Sequence, residues 1–219
     1  MKFKTYRILD LTILVVLTFI IEMVATYCVN GFFHGIRPFP VIGMLMTLIA
    51  IARWGVWGII IIPVSVLANF FTGRFLIGVP SYRETYDIVS TVFSFISTSS
   101  ILISFLWFKK YGRKKVFKDH YMLYTLIATA IGINLLLSVL FSSINYFYQD
   151  ISNIASDIGS RIIGMILYNS GSYIVLLIFT PLLAKQDVLA DVKTTLIEKK
   201  KEAKNESLYY SKKQDDEKK

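Results

Sequence analysis

Long runs poor in charge, such as Leu11 to Val29 and Ile88 to Phe108, constrain this chain more than any other feature. Each reaches the roughly 20 residues that a helix needs to cross the hydrocarbon core of a bilayer. Only helices and closed barrels satisfy their backbone polar groups there, and these runs lack the period-two alternation of barrel strands. Composition agrees: 54% of the residues are hydrophobic and 18% charged, against about a quarter charged in a soluble domain. The expected class is an all-α integral membrane protein. Lys2, Lys4 and Arg7 ahead of an apolar stretch also suit a signal peptide. That stretch is longer than a usual signal core and more spans follow it, so it reads as the first transmembrane helix. The single cysteine, Cys28, permits no internal disulfide and matches no metal-site spacing.

Hydropathy marks spans at about 8–29, 41–72, 87–108, 121–146 and 160–183. The second is too long: 32 residues make a helix of about 48 Å against a core of about 30 Å. In its middle stands Arg53-Trp54-Gly55-Val56-Trp57-Gly58, with the cation, aromatics and glycines of an interfacial turn. Charge parity decides between one helix and two, because Lys and Arg collect in cytosolic loops. Lys2, Lys4 and Arg7 mark a cytosolic N-terminus, and Lys109 to Lys118 is the most basic short loop. That loop falls inside only if 41–72 is two helices. The expected architecture is a six-transmembrane-helix bundle with cytosolic N and C termini. It occupies residues 1–184, with helices at 8–29, 41–53, 55–72, 87–108, 121–146 and 160–183. Residues 185–219 form a charged cytosolic tail, helical at first and disordered from about Lys199. The net charge of +9 resides mainly in the N-terminus and the basic loop; topology and attraction to anionic membrane lipid account for it, and nucleic acid does not.

The chain has no Gly-rich phosphate loop and no His-Glu-x-x-His, and its two histidines, His34 and His120, lie beside membrane boundaries. Neither a cofactor nor a metal nor an enzymatic activity is expected. What remains is polar groups at membrane depth, which mark candidate sites because they are costly there. Glu22 stands in helix one, Asn69 near the outer end of helix three and Asn134 in helix five. Arg161 and Asn169 lie eight residues apart on one face of helix six, with Tyr168 beside them. The outer loops and helix ends add Arg37, Arg74 and Tyr146 among other aromatics and cations, a mixture that suits a small, flat, partly anionic ligand. Each of these residues also has an ordinary reading as a helix-packing group or an interface anchor. Ser94, Ser97, Thr98, Ser99 and Ser100 in helix four read as close-packing positions.

This pattern resembles the substrate-binding S components of energy-coupling factor importers, which take up vitamins and micronutrients in bacteria. The likeness rests on Arg37-Pro38-Phe39-Pro40, then Met44 to Ala52, the Arg53 to Gly58 turn, and Pro63 and Asn69 in the following helix. It implies a non-enzymatic subunit of the bacterial cytoplasmic membrane that captures a small water-soluble substrate on the outer side. Its partners would be a transmembrane coupling protein and two cytosolic ATPase subunits. The substrate-binding residues would come from Arg37, Asn69, Arg74, Asn134, Tyr146, Arg161, Tyr168 and Asn169. The coupling protein would dock on the face of helix one that holds Thr18, Glu22 and Ala25, where family members carry small residues. Two other readings stand beside it: a gradient-driven permease with Glu22 as the coupling carboxylate, and a structural membrane protein acting through its tail.

Overall fold

The computed structural model describes residues 3–32, 40–76, 84–147 and 158–185. All secondary structure among them is helical. Four stretches are long and apolar enough to cross a membrane: Lys4–Val29, Gly43–Leu76, Val89–Tyr111 and His120–Leu140. The chain is thus a helical membrane protein. Its helices are α1 (Phe3–Phe32), α2 (Gly43–Trp54), α3 (Ile61–Phe71), α4 (Glu84–Thr98), α5 (Ser104–Tyr111), α6 (Arg113–Lys118), α7 (His120–Phe147) and α8 (Ile158–Lys185). Tight 3-10 turns at Gly55–Ile60 and Ser99–Ile103 join α2 to α3 and α4 to α5, and a π-helical stretch, Thr72–Leu76, extends α3.

The segment from Gly43 to Leu76 is apolar throughout, yet it is not one rod. Gly55 ends α2 at φ 64° and ψ −132°, a backbone conformation that a side chain disfavours. The chain then doubles back. A Cβ on Gly58 would lie 2.4 Å from the backbone of Ala50 and Ile51, whereas residues eight apart in a straight helix are separated by about 12 Å. At the far end of the hairpin, a Cβ on Gly43 would lie 2.6 Å from Ser65 Oγ. Gly58 lets the returning chain meet the backbone of α2, and Gly43 makes room for the Ser65 side chain of α3. The turn expected at Arg53 therefore falls one to two residues later, at Gly55, because that is where the positive φ is available.

α2 is the centre of the bundle. Every residue in it except Arg53 is buried, and Leu48, Ala50, Ile51 and Ala52 have no exposed surface. α1, α3, α8 and the Ser99–Ile103 turn pack around it, while α7 packs on α8, α4 and that same turn. The contacts also fix direction. α2 runs opposite to α1, since Glu22 meets Val41 and Asp10 meets Arg53. α3 returns parallel to α1, with Asn69 reaching Thr26. α4 and α7 are antiparallel, since Ser97 at the end of α4 meets Asn134 in the middle of α7 and Phe108 of α5 packs against Phe117, just ahead of α7. α6, which is short and amphipathic, occupies the basic loop and packs against α8. Phe3 and Lys185 consequently lie at one end of the bundle. The outward faces of α1 and α8 carry exposed Ile13, Val16, Ile20, Val24, Ile163, Leu167 and Ile174, the surface that lipid covers in a membrane protein.

The observed helices are longer at most ends than hydropathy marks them, as α1 and α8 show. The charged tail beyond Lys185 lies outside the described residues.

The close approach at Gly58 makes a direct prediction. Gly58→Ala should lower the thermal unfolding midpoint of the detergent-purified protein, at a cost of about 1–3 kcal/mol, because the clash is with backbone. Gly132→Ala, whose Cβ meets nothing within 4 Å, should leave the midpoint unchanged or raise it.

Candidate functional site

α2 begins inside the bundle rather than at its rim, and this raises a problem of backbone chemistry. The first N–H groups of a helix have no partner within it. Water is the usual remedy at a rim, but at membrane depth an unsatisfied group costs several kcal/mol. The residue before α2, Ile42, offers no side-chain cap. Glu22 of α1 supplies the acceptors instead: one carboxylate oxygen takes the N–H of Val41, and the other takes that of Ile42 at 2.9 Å. Gly43 N–H also bonds to this carboxylate. A negative group at a helix N-terminus further complements the helix dipole. Thr26, one turn along α1, donates its hydroxyl to Glu22 at 3.3 Å, and Asn69 Nδ2 of α3 donates to Thr26 at 3.1 Å. Three helices thus meet on one fully buried carboxylate.

The other end of α2 is fixed by the second carboxylate of α1. Arg53 presents Nε and Nη2 to the two oxygens of Asp10, each at 2.9 Å, and Trp54 donates its indole N–H to the same carboxylate. Arg113 of α6 donates to the carbonyl of Ala52 at 3.0 Å, covering an acceptor that the helix end leaves open. Sequence reading singled out Glu22 and Arg53 but passed over Asp10. The signal was there: Asp10 and Glu22 are twelve residues apart on an otherwise uncharged apolar run, a spacing that matches the length of α2.

A second polar layer joins α4, α7 and α8. Asn134 Nδ2 donates to the carbonyl and hydroxyl of Ser97 at 2.9 and 2.7 Å, and Asn134 Oδ1 accepts the Tyr173 hydroxyl at 2.8 Å. Ser138 lies 3.1 Å from the Ser97 hydroxyl. Ser97, read from sequence as a packing residue, is thus also a hydrogen-bonding partner.

The expected site residues divide by position. Gly171 of α8 packs against Val41, so Asn169 lies near the depth at which α2 starts, as does Asn69, one turn beyond Ser65. All three asparagines, Asn69, Asn134 and Asn169, are buried, and Asn169 donates to the carbonyl of Met165 in its own helix. Beyond this depth α1, α3 with its π-helical extension, α7 and α8 continue for roughly 10 to 20 Å at the helical rise, whereas α2 does not. Arg74 is exposed on that extension. Tyr146, Arg161 and Tyr168 belong to the continuing parts of α7 and α8, with side chains outside the described set, and Arg37 lies outside the described residues altogether.

The face of α1 expected to dock a partner is largely buried within the chain. Thr18 and Glu22 have no exposed surface, and Thr18 donates to the Leu14 carbonyl of its own helix; Ala25 is half-buried against the core. They face inward because they pack on α2 and α3. α1 presents Ile13, Val16, Leu17, Ile20 and Val24 outward instead. Between α1 and α3 runs an apolar groove lined by Val15, Val16, Phe19, Ile20, Val64, Leu67 and Phe71, which has nothing to hold a water-soluble ligand. Among the described residues no three His, Cys, Asp or Glu side chains converge as a metal site would require.

Comparison of the chain with protein-family models, with curated proteins and with solved structures finds no match.

The cap at Glu22 should outweigh the clasp at Asp10. Glu22→Ala leaves the α2 N–H groups buried without an acceptor and should destabilise the protein by about 2–3 kcal/mol or more. Asp10→Asn, at a site with 19% of each partner's side chain exposed, should cost about 1 kcal/mol. Unfolding midpoints in detergent, compared for the two variants, measure the difference.

Proposed function

We propose that this chain is a substrate-capture subunit of an energy-coupling factor type importer in a bacterial cytoplasmic membrane. One observation carries the reading: α2 reaches only part-way along the bundle, its start is held by polar side chains from α1 and α3, and a second buried polar layer joins α4, α7 and α8. A helix that stops at membrane depth leaves room beyond it, and interrupted helices border binding sites in membrane transporters. The basic α5–α6 corner stands at the opposite end, beside the C-terminus of α2. By the preference of Lys and Arg for the cytosolic side, that end is inside and the room beyond α2 opens outward. This gives a bundle of six passes with both ends in the cytosol.

A small water-soluble vitamin-like compound would enter from outside and rest over Val41 and Ile42, with Asn169 near the floor and Arg74, Tyr146, Arg161 and Tyr168 as further residues expected to bind it. Arg37, in the loop ahead of α2, is a further cation expected to bind it. The chain supplies binding and no chemistry; ATP hydrolysis belongs to two cytosolic partner subunits coupled through a transmembrane protein. The exposed apolar stripe of α1, rather than Thr18 and Glu22, is the face such a coupling protein would meet.

Screening of the purified protein against water-soluble vitamins and their precursors should find one ligand bound tightly without ATP. Arg161→Ala and Asn169→Ala should each weaken that binding by about tenfold or more, as loss of one polar contact in a desolvated site does. Absence of any ligand, together with failure to co-purify an ATPase module, counts against the proposal.

A further inference from the structure

The basic corner between α5 and α7 is a built surface. α5 ends at Gly112, α6 follows for less than two turns, and the residues that hold it in place all face inward. Val116 has no exposed surface, the rings of Phe108 and Phe117 pack with centroids 5.4 Å apart, and Arg113 is bonded to the carbonyl of Ala52. With the inward positions so used, Lys109, Lys110, Lys115 and Lys118 are left exposed. Lys110 lies over the ring of Tyr111 at 5.0 Å. The one carboxylate in this stretch, Asp119, is committed elsewhere: it accepts the N–H groups of Tyr121 and Met122 at the start of α7. The cations are therefore concentrated, and their positions are set by a folded element.

Their neighbours identify the partner. Leu106, Tyr121 and Tyr124 flank the lysines and are 60%, 79% and 46% exposed. Exposed tyrosines next to lysines at the end of an apolar helix are the side chains that sit at the headgroup level of a bilayer. An acidic protein would be met by the lysines alone, whereas a lipid meets both the cations, through its phosphate, and the aromatic and aliphatic side chains, through its glycerol and upper acyl carbons.

We propose that the α5–α6 corner is a binding surface for the phosphate headgroups of anionic phospholipid, with Lys109, Lys110, Lys115 and Lys118 as the recognising side chains. Because Arg113 ties the same short helix to the end of α2, lipid held there also braces the hairpin turn at Gly55. This inference is independent of the proposed transport role.

The full-length protein in nanodiscs of phosphatidylglycerol or of phosphatidylcholine tests it, with native mass spectrometry of the detergent-extracted protein counting retained lipid. The expected result is a roughly tenfold preference for phosphatidylglycerol that falls steeply with salt, and a higher unfolding midpoint in the anionic discs. Lys109→Gln, Lys110→Gln, Lys115→Gln and Lys118→Gln combined should abolish both effects, while Lys4→Gln, an exposed lysine of α1, should keep them. Should the fourfold variant fail to fold, the pairs Lys109→Gln/Lys110→Gln and Lys115→Gln/Lys118→Gln, made separately, should each lose part of the preference. Equal retention of the two lipids, persistence of the preference in the lysine variants, or full replacement of the effect by inorganic phosphate would overturn the proposal.

Discussion

A helix that starts in the middle of an apolar bundle needs something to receive its first N–H groups, and here a single carboxylate does so. Glu22 of α1 accepts from the backbone at Val41, Ile42 and Gly43 while Thr26 bonds to it from the side. Without it, the start of α2 would leave several donors without acceptors where no bulk water reaches, a deficit comparable with the whole stability of a small domain. The same bonds satisfy Glu22, whose charge would be prohibitive at that depth if it stood alone. Cap and helix each remove the other's cost, so neither can be read separately. The centrality of α2, and the packing of α1, α3 and α8 against it, follow from that exchange.

The clasp at the other end has a different character. Asp10, Arg53, Trp54 and Arg113 gather where the bundle approaches water, and the three charged side chains remain partly exposed while Trp54 is buried. Pairs of that kind contribute little energy each but fix geometry well, the bidentate guanidinium above all. The two ends of α2 thus divide the work: the buried cap sets how deep α2 starts, and the rim clasp sets its rotation and the position of the turn that follows. Arg113 extends the clasp to α6, so the basic corner and the hairpin are one mechanical unit.

Much of this was legible in the residues. Run lengths establish helices in a membrane, and the Arg53 to Gly58 passage, tested by the sign of the loop at Lys109 to Lys118, separates α2 from α3 although hydropathy does not fall between them. Other features were not legible because they depend on pairing across the bundle. Asp10 is one acid near the end of an apolar helix until Arg53 and Trp54 are brought to it. Glu22 suits a coupling carboxylate or a docking face equally well until its four donors are seen. Asn134 was picked as a candidate ligand group, whereas Ser97 was read as mere packing; the structure binds them to each other. A sequence shows which residues are polar at depth, but only the fold shows which polar groups have already been answered.

That distinction bears on how such a bundle can work. Alternating access by rocking of helices would have to open the end of the bundle at Asp10, which means breaking the Arg53 and Trp54 bonds to Asp10 or the Arg113 bond to Ala52, and it would have to move α2 against its cap. Use of Glu22 as a site for a coupling ion would withdraw the acceptors on which the start of α2 depends. A subunit that only captures its substrate asks for neither change. The proposed capture role asks movement only of the parts of α1, α3, α7 and α8 that continue past Val41, which α2 does not accompany. The fastening of α2 at both of its ends thus weighs against rocking of α2 as the working motion of this chain.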